Sequence, residues 1–188
     1  MKESNRWYDR INWPYKADRI TAENYATWFK PIHWQLIGTF TFAWSVSDRQ
    51  ADGVFSGFIH GIEKHYRSDV GYVRGDEKRV SGCGKPASPR HYHGLLASAA
   101  PLSPKFVADL WMSMAGHRSD GAGAEVEPYD PDKNGASYAL KRMNQPGGDW
   151  TLSNNLYLFL PPANIEVVGK RMRRHLRRHS VRAGIGAL

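Results

Sequence analysis

Arg90-His91-Tyr92-His93-Gly94-Leu95-Leu96 reads as a strand that carries two histidines on one face. Side chains two apart in a strand point the same way and sit roughly 6.6 Å apart along the chain, so both imidazoles can converge on one divalent ion. Tyr92 then points the other way, into a core. Further along, Tyr138-Ala139-Leu140-Lys141 sets a phenol and an ammonium three residues apart. On a helix that spacing stacks them on one face, offering a nucleophile and a cation. Either pattern alone has an ordinary reading. A His-x-His pair also occurs as a polar face or as two satisfied histidines, and Tyr-x-x-Lys as plain helix surface.

Working outward from this strand, His33 to Trp44 (HWQLIGTFTFAW) is rich in β-formers. Leu36, Gly38, Phe40 and Phe42 alternate there with Ile37, Thr39, Thr41 and Ala43, the pattern of a strand. Residues 48 to 52 break it. Val54, Phe58 and Ile62 recur at three to four residues, which predicts an amphipathic helix over 53–67. Val70 to Arg74 forms a short strand, Gly75 to Pro89 a glycine-rich loop or hairpin, and His91 to Ala97 the histidine strand.

Ser103-Pro104 then caps a helix whose apolar face is Phe106, Val107, Leu110, Trp111 and Met114, with Gly116 ending it. Ala124 to Tyr129 is a strand, Ala136 to Met143 the tyrosine helix, and Asn155 to Leu160 an edge strand. The order β-α-β-β-α-β, then a helix, predicts an α+β domain. It has a central antiparallel sheet of about five strands with helices packed on one side, as in ferredoxin-like folds.

The 188 residues, 41% hydrophobic, suffice for one domain with a core and are too few for two. That domain spans 33–160. Residues 1–32 hold Trp7, Tyr8, Trp13, Tyr15, Tyr25, Trp28 and Phe29, too many aromatics for a free tail, and form an extension packed on the domain. A single cysteine, Cys83, excludes an internal disulfide framework and a multi-cysteine zinc site, which fits a reducing compartment. With no apolar run near 18 residues and no secretory h-region after Met1, a soluble cytoplasmic protein with no membrane partner is expected.

The charge is concentrated at one end. Seven of the net eight positive charges fall between Lys170 and Arg182, as Lys170, Arg171, Arg173, Arg174, Arg177, Arg178 and Arg182. Ile165, Val168, Met172 and Leu176 recur at helical spacing through the same stretch, so 161–188 reads as a basic amphipathic helix or tail. Phosphate backbone is the favoured partner, over an anionic membrane or bare solvation.

With these residues in place, the chain resembles the HUH endonuclease superfamily, and within it the replication initiators (Rep) of rolling-circle plasmids and single-stranded DNA viruses. Ile37-Gly38-Thr39-Phe40-Thr41-Phe42 looks like the first Rep motif, His91-Tyr92-His93 like the second and Tyr138-Ala139-Leu140-Lys141 like the third, in the family's order. The resemblance covers residues 34 to 145. It implies a central antiparallel sheet bearing the histidines, with the tyrosine on a nearby helix.

The resemblance also implies a third metal ligand. Gly75-Asp76-Glu77 matches the glycine and two acids of viral Rep proteins, with Glu77 as ligand. Asp76, or Glu125 and Glu127 on the strand before the tyrosine helix, are alternatives, as is a charged turn in water. The activity implied is site-specific nicking and joining of single-stranded DNA to initiate rolling-circle replication. Tyr138 would hold the 5′ phosphate and a 3′ hydroxyl would be freed.

A free phenol, with a pKa near 10, is only about 0.1% phenolate at neutral pH, so both partners need activation. A divalent ion, Mn²⁺ or Mg²⁺, would bind and align the phosphate. Lys141 would support the phenolate, orient the phosphate or return a proton, and Arg142 would be a second phosphate contact. Implied partners are a single strand or hairpin at an origin and, because no P-loop is present, a host helicase and polymerase. Trp28, Trp34 and Tyr72 are candidate base-stacking residues. An HUH transposase or relaxase would use the same residues, but relaxases usually place the tyrosine before the histidines. A non-catalytic ferredoxin-like nucleic-acid-binding module is the remaining alternative.

Overall fold

β3 (His91–Ser98) is the middle strand of an antiparallel sheet of order β4-β1-β3-β2-β5. The computed structural model describes residues 16–78, 89–116, 123–142 and 148–161. Strands β1 (Leu36–Thr41) and β2 (Val70–Glu77) flank β3, while β4 (Ala124–Pro128) and β5 (Gly148–Leu152) form the edges. β1 and β2 both run against β3 and are joined by helix α2 (Asp48–Tyr66). β3 and β4 both run against β1 and are joined by α3 (Pro104–Met114). Two interleaved split β-α-β units give the expected ferredoxin-like order, to which β5 adds a fifth strand on the β2 edge.

Helices cover both faces of this sheet, not one. Against α2 and α3 lie Leu36, Phe40, Tyr92 and Leu96, packed on Phe55, Phe58, Ile62, Val107 and Trp111. The opposite face carries Ile37, Val73, Leu95 and Ala97, packed on Ala22, Ala26 and Phe29 of α1 (Lys16–Phe29) and on Ala136, Ala139 and Leu140 beside α4 (Gly135–Ala139). The adjacent pair Leu95 and Leu96 therefore serves two cores, because alternate side chains leave opposite faces of a strand. α1 is integral to the second core, and 1–15 lie outside the described residues.

Several elements begin or end away from their expected places. Residues 48–52 do not interrupt structure but open α2. Ser47 caps it, its hydroxyl accepting from the Gln50 amide at 3.3 Å while the Gln50 side chain accepts from the Ser47 amide at 3.0 Å. β2 continues to Glu77, beyond Arg74, because β3 and β5 pair with it to that point. The second edge strand is Gly148–Leu152, and Leu156–Phe159 is a 3-10 turn, not a strand. Ser153 ends the ladder by accepting, through its hydroxyl, from the Tyr72 amide at 3.0 Å.

Candidate metal and nucleophile site

Register brings the carboxylate to the histidines. Glu77 lies directly opposite His91 and Gly75 opposite His93, so Glu77 stands across from one imidazole and diagonal to the other on the α4 face. Its Oε2 is 3.2 Å from His91 Nε2 and its Oε1 is 3.0 Å from His93 Nε2. The three donors lie within 4.8 Å of one another, and this partly buried group could hold a metal ion. That span is close to the spread of ligands around one ion at about 2.1 Å.

The outer nitrogen of each histidine is held as a ligand's would be. His91 Nδ1 donates to the Pro89 carbonyl at 3.0 Å. A carbonyl can only accept, so Nδ1 carries a hydrogen, and Nε2 is the ring atom turned toward Glu77. His93 Nδ1 meets Thr39 Oγ1 at 3.1 Å, a hydroxyl able to donate or accept as the tautomer requires. Complete burial pushes His93 down to about 3, outweighing the carboxylate beside it and keeping the ring neutral. Burial works to raise Glu77, yet hydrogen bonds from His91 and His93 and the charge of Lys141 hold it well below the ordinary carboxylate range. Neutral imidazole and ionised carboxylate are the forms that bind metal.

Tyr138 reaches the same place from α4. Its ring packs edge-on against His93, centroids 4.6 Å apart, and Lys141 Nζ lies 4.1 Å over the phenol ring. Lys141 also contacts Glu77 Oε1 at 3.1 Å, and Arg142 Nε lies 3.7 Å from Oε2. The helix is shorter than the expected 136–143 and stops at Ala139, so Lys141 sits in the turn that follows. The chain turns there to lay its backbone on two glycines of the sheet. A Cβ on Gly75 would land on the Ala139 carbonyl, and one on Gly148 on that of Arg142. Only hydrogen at both positions lets the tyrosine segment come down on the His91, His93 and Glu77 cluster.

Asp76 is not a ligand. One residue from Glu77, it leaves the other face, where Arg90 holds it through two bonds, Nε to Oδ1 at 3.1 Å and Nη2 to Oδ2. Glu125 is exposed and, with Glu127, stands beyond β1, two strands and so about 10 Å from β3. Neither joins the cluster. Trp34 is a core residue, its indole donating to the Phe29 carbonyl at 3.0 Å, while Tyr72 is half-buried against Phe55 and Trp28 against Tyr25. None of the three is an exposed stacking platform. Lys170, Arg171, Arg173, Arg174, Arg177 and Arg178, like Cys83, lie outside the described residues.

Thr39 and Gly148 were not singled out for the site by sequence. The alternation of β1 places Thr39 on the Ile37 face, but only pairing with β3 sets it beside His93. No family model, curated protein or solved structure matches this chain. Among the described residues, no helix is long and apolar enough to cross a membrane.

Proposed function

We propose that this protein is a single-tyrosine HUH endonuclease of the Rep type, which nicks and rejoins one DNA strand to initiate rolling-circle replication. The observation that carries the reading is the meeting of three sequence-distant motifs on one sheet face. Thr39 touches His93, His91 and His93 face Glu77, and Tyr138 packs on His93 with Lys141 over its ring.

When bound by His91, His93 and Glu77, Mn²⁺ or Mg²⁺ would polarise and orient the scissile phosphate. The residues supply the rest. The Tyr138 oxygen attacks phosphorus, its bond to phosphorus forms as the bond to the 3′ oxygen breaks, and the phenol's proton passes to that oxygen. The products are a 5′ phosphotyrosine and a 3′ hydroxyl that primes synthesis. Lys141 beside the ring supports the developing phenolate, and Arg142 offers a second contact to phosphate. One phosphodiester replaces another, so rejoining is the same step reversed and needs no nucleotide triphosphate. The partners are a single strand or hairpin at an origin and a host helicase and polymerase.

The test is Mn²⁺-dependent nicking of a labelled single-stranded oligonucleotide pool. Tyr138→Phe is expected to lose nicking while binding DNA within a few fold of the wild type. A variant that still nicks would move the nucleophile elsewhere, and binding without cleavage by the wild type would favour a non-catalytic module.

A further inference from the structure

Glu77 has more suitors than a metal ligand needs. Each carboxylate oxygen is shared by one imidazole and one side-chain cation, His93 and Lys141 at Oε1 and His91 and Arg142 at Oε2. The Lys141 contact is the stronger, at 3.1 Å with only 16% of the side chain exposed, against 3.7 Å and 45% for Arg142. We infer that Lys141 and Arg142 compete with the divalent ion for Glu77, so that metal binding frees both cations to take the phosphate of the incoming strand.

The conflict is one of charge in a confined space. An ion about 2.1 Å from a Glu77 oxygen would stand no more than about 5 Å from an ammonium left in its present position. Little water intervenes there to screen them, since Glu77 is 15% exposed and His93 2%. Both cations have somewhere to go. Lys141 lies past the end of α4 on a flexible four-carbon stem, and Arg142 is exposed. A phosphodiester bound at the ion supplies the negative charge they give up at Glu77. Metal and DNA should therefore bind with positive coupling, each strengthening the other by the same factor.

This rests on the metal site proposed above, and the experiment separates the two. Mn²⁺ alone is titrated calorimetrically into the wild type, Lys141→Gln, Arg142→Gln and, as a control for net charge, Lys105→Gln, whose lysine is exposed on α3 and paired with Asp109. Lys141→Gln is expected to bind Mn²⁺ roughly tenfold tighter than the wild type, Arg142→Gln by a smaller factor and Lys105→Gln unchanged. A short single-stranded oligonucleotide should tighten Mn²⁺ binding to the wild type more than to Lys141→Gln. Wild-type binding of Mn²⁺ that Lys141→Gln leaves equal or weakens would overturn the competition and leave the metal site standing. No Mn²⁺ binding by any of the proteins would remove the site, and the competition with it.

Discussion

β2 and β3 carry two clusters of charge back to back, and the two solve opposite problems. On the α2 face Asp76, Arg90, Asp48 and Lys78 form a chain of ion pairs, with Arg90 also reaching Asp48 at 2.7 Å, and Arg74 makes a separate pair with Asp52 at 2.8 Å. Each acid there has a cation, and the Arg74 guanidinium lies 4.3 Å over the Tyr92 ring. On the α4 face one carboxylate meets two imidazoles and two side-chain cations, Lys141 and Arg142. One cluster is closed by its own charges. The other gathers donors that could hold a metal ion.

The tyrosines divide in the same way. Tyr92 is fully buried, its hydroxyl has no hydrogen-bond partner among the described residues and burial pushes it up to about 12, so it is an unreactive core residue. Tyr138 lies against His93 and Lys141. Adjacent residues thus take unrelated roles, Asp76 and Glu77 on one strand and Arg90 and His91 on the next, because a strand sends neighbours to opposite faces.

The largest effect expected of a change that separates the faces is on stability. Asp76→Asn removes one partner of a buried pair and should cost about 3 kcal/mol, read by denaturant unfolding, while Mn²⁺ affinity stays within a few fold. Glu77→Ala should do the reverse, lowering Mn²⁺ affinity by about 100-fold with the smaller loss of stability. If both variants lost metal alike, the faces would not be independent. Gly75→Ala tests the seat of the tyrosine segment. Its methyl meets backbone, not a flexible side chain, so about 2 kcal/mol of stability and more than about tenfold in nicking should be lost together.

The last effect is the dependence of stability on pH. His93 is neutral in the fold down to about 3, against 6.5 when unfolded, so below 6.5 the unfolded chain binds the additional proton. Stability then falls as pH drops from 6.5 toward 3, by at most about 1.4 kcal/mol per unit for this group. Glu77, lowered in the fold, adds a loss of the same sign below its unfolded value of 4.5. His93→Gln should flatten the upper part of that slope in denaturation measured from pH 7 to 4.

Much of this was legible because local rules suffice for it. The two-residue period of His91 and His93 and the capping signal at Ser103 need no knowledge of the rest of the chain. What was missed depends on pairing. Glu77 was reached through the resemblance, and its physical ground, that β2 extends past Arg74 and sets Glu77 opposite His91, is a matter of register the residues alone do not give. The Leu156–Phe159 run looks like a strand by composition, yet the edge of β2 is taken by Gly148–Leu152, whose Trp150 and Leu152 face the second core. The neighbouring Leu95 and Leu96 were a sign that both faces are covered, since a strand with one wet face alternates apolar with polar. At α2 the charged residues 48–52 hid the capping pair of Ser47 and Gln50.

The measurement that most directly tests the account is to incubate the protein with single-stranded oligonucleotides and Mn²⁺, with and without EDTA, then digest and map any DNA adduct by mass spectrometry. The account predicts an adduct that EDTA abolishes and that carries its 5′ phosphate on Tyr138. An adduct on another residue, or one formed equally well without metal, would contradict it.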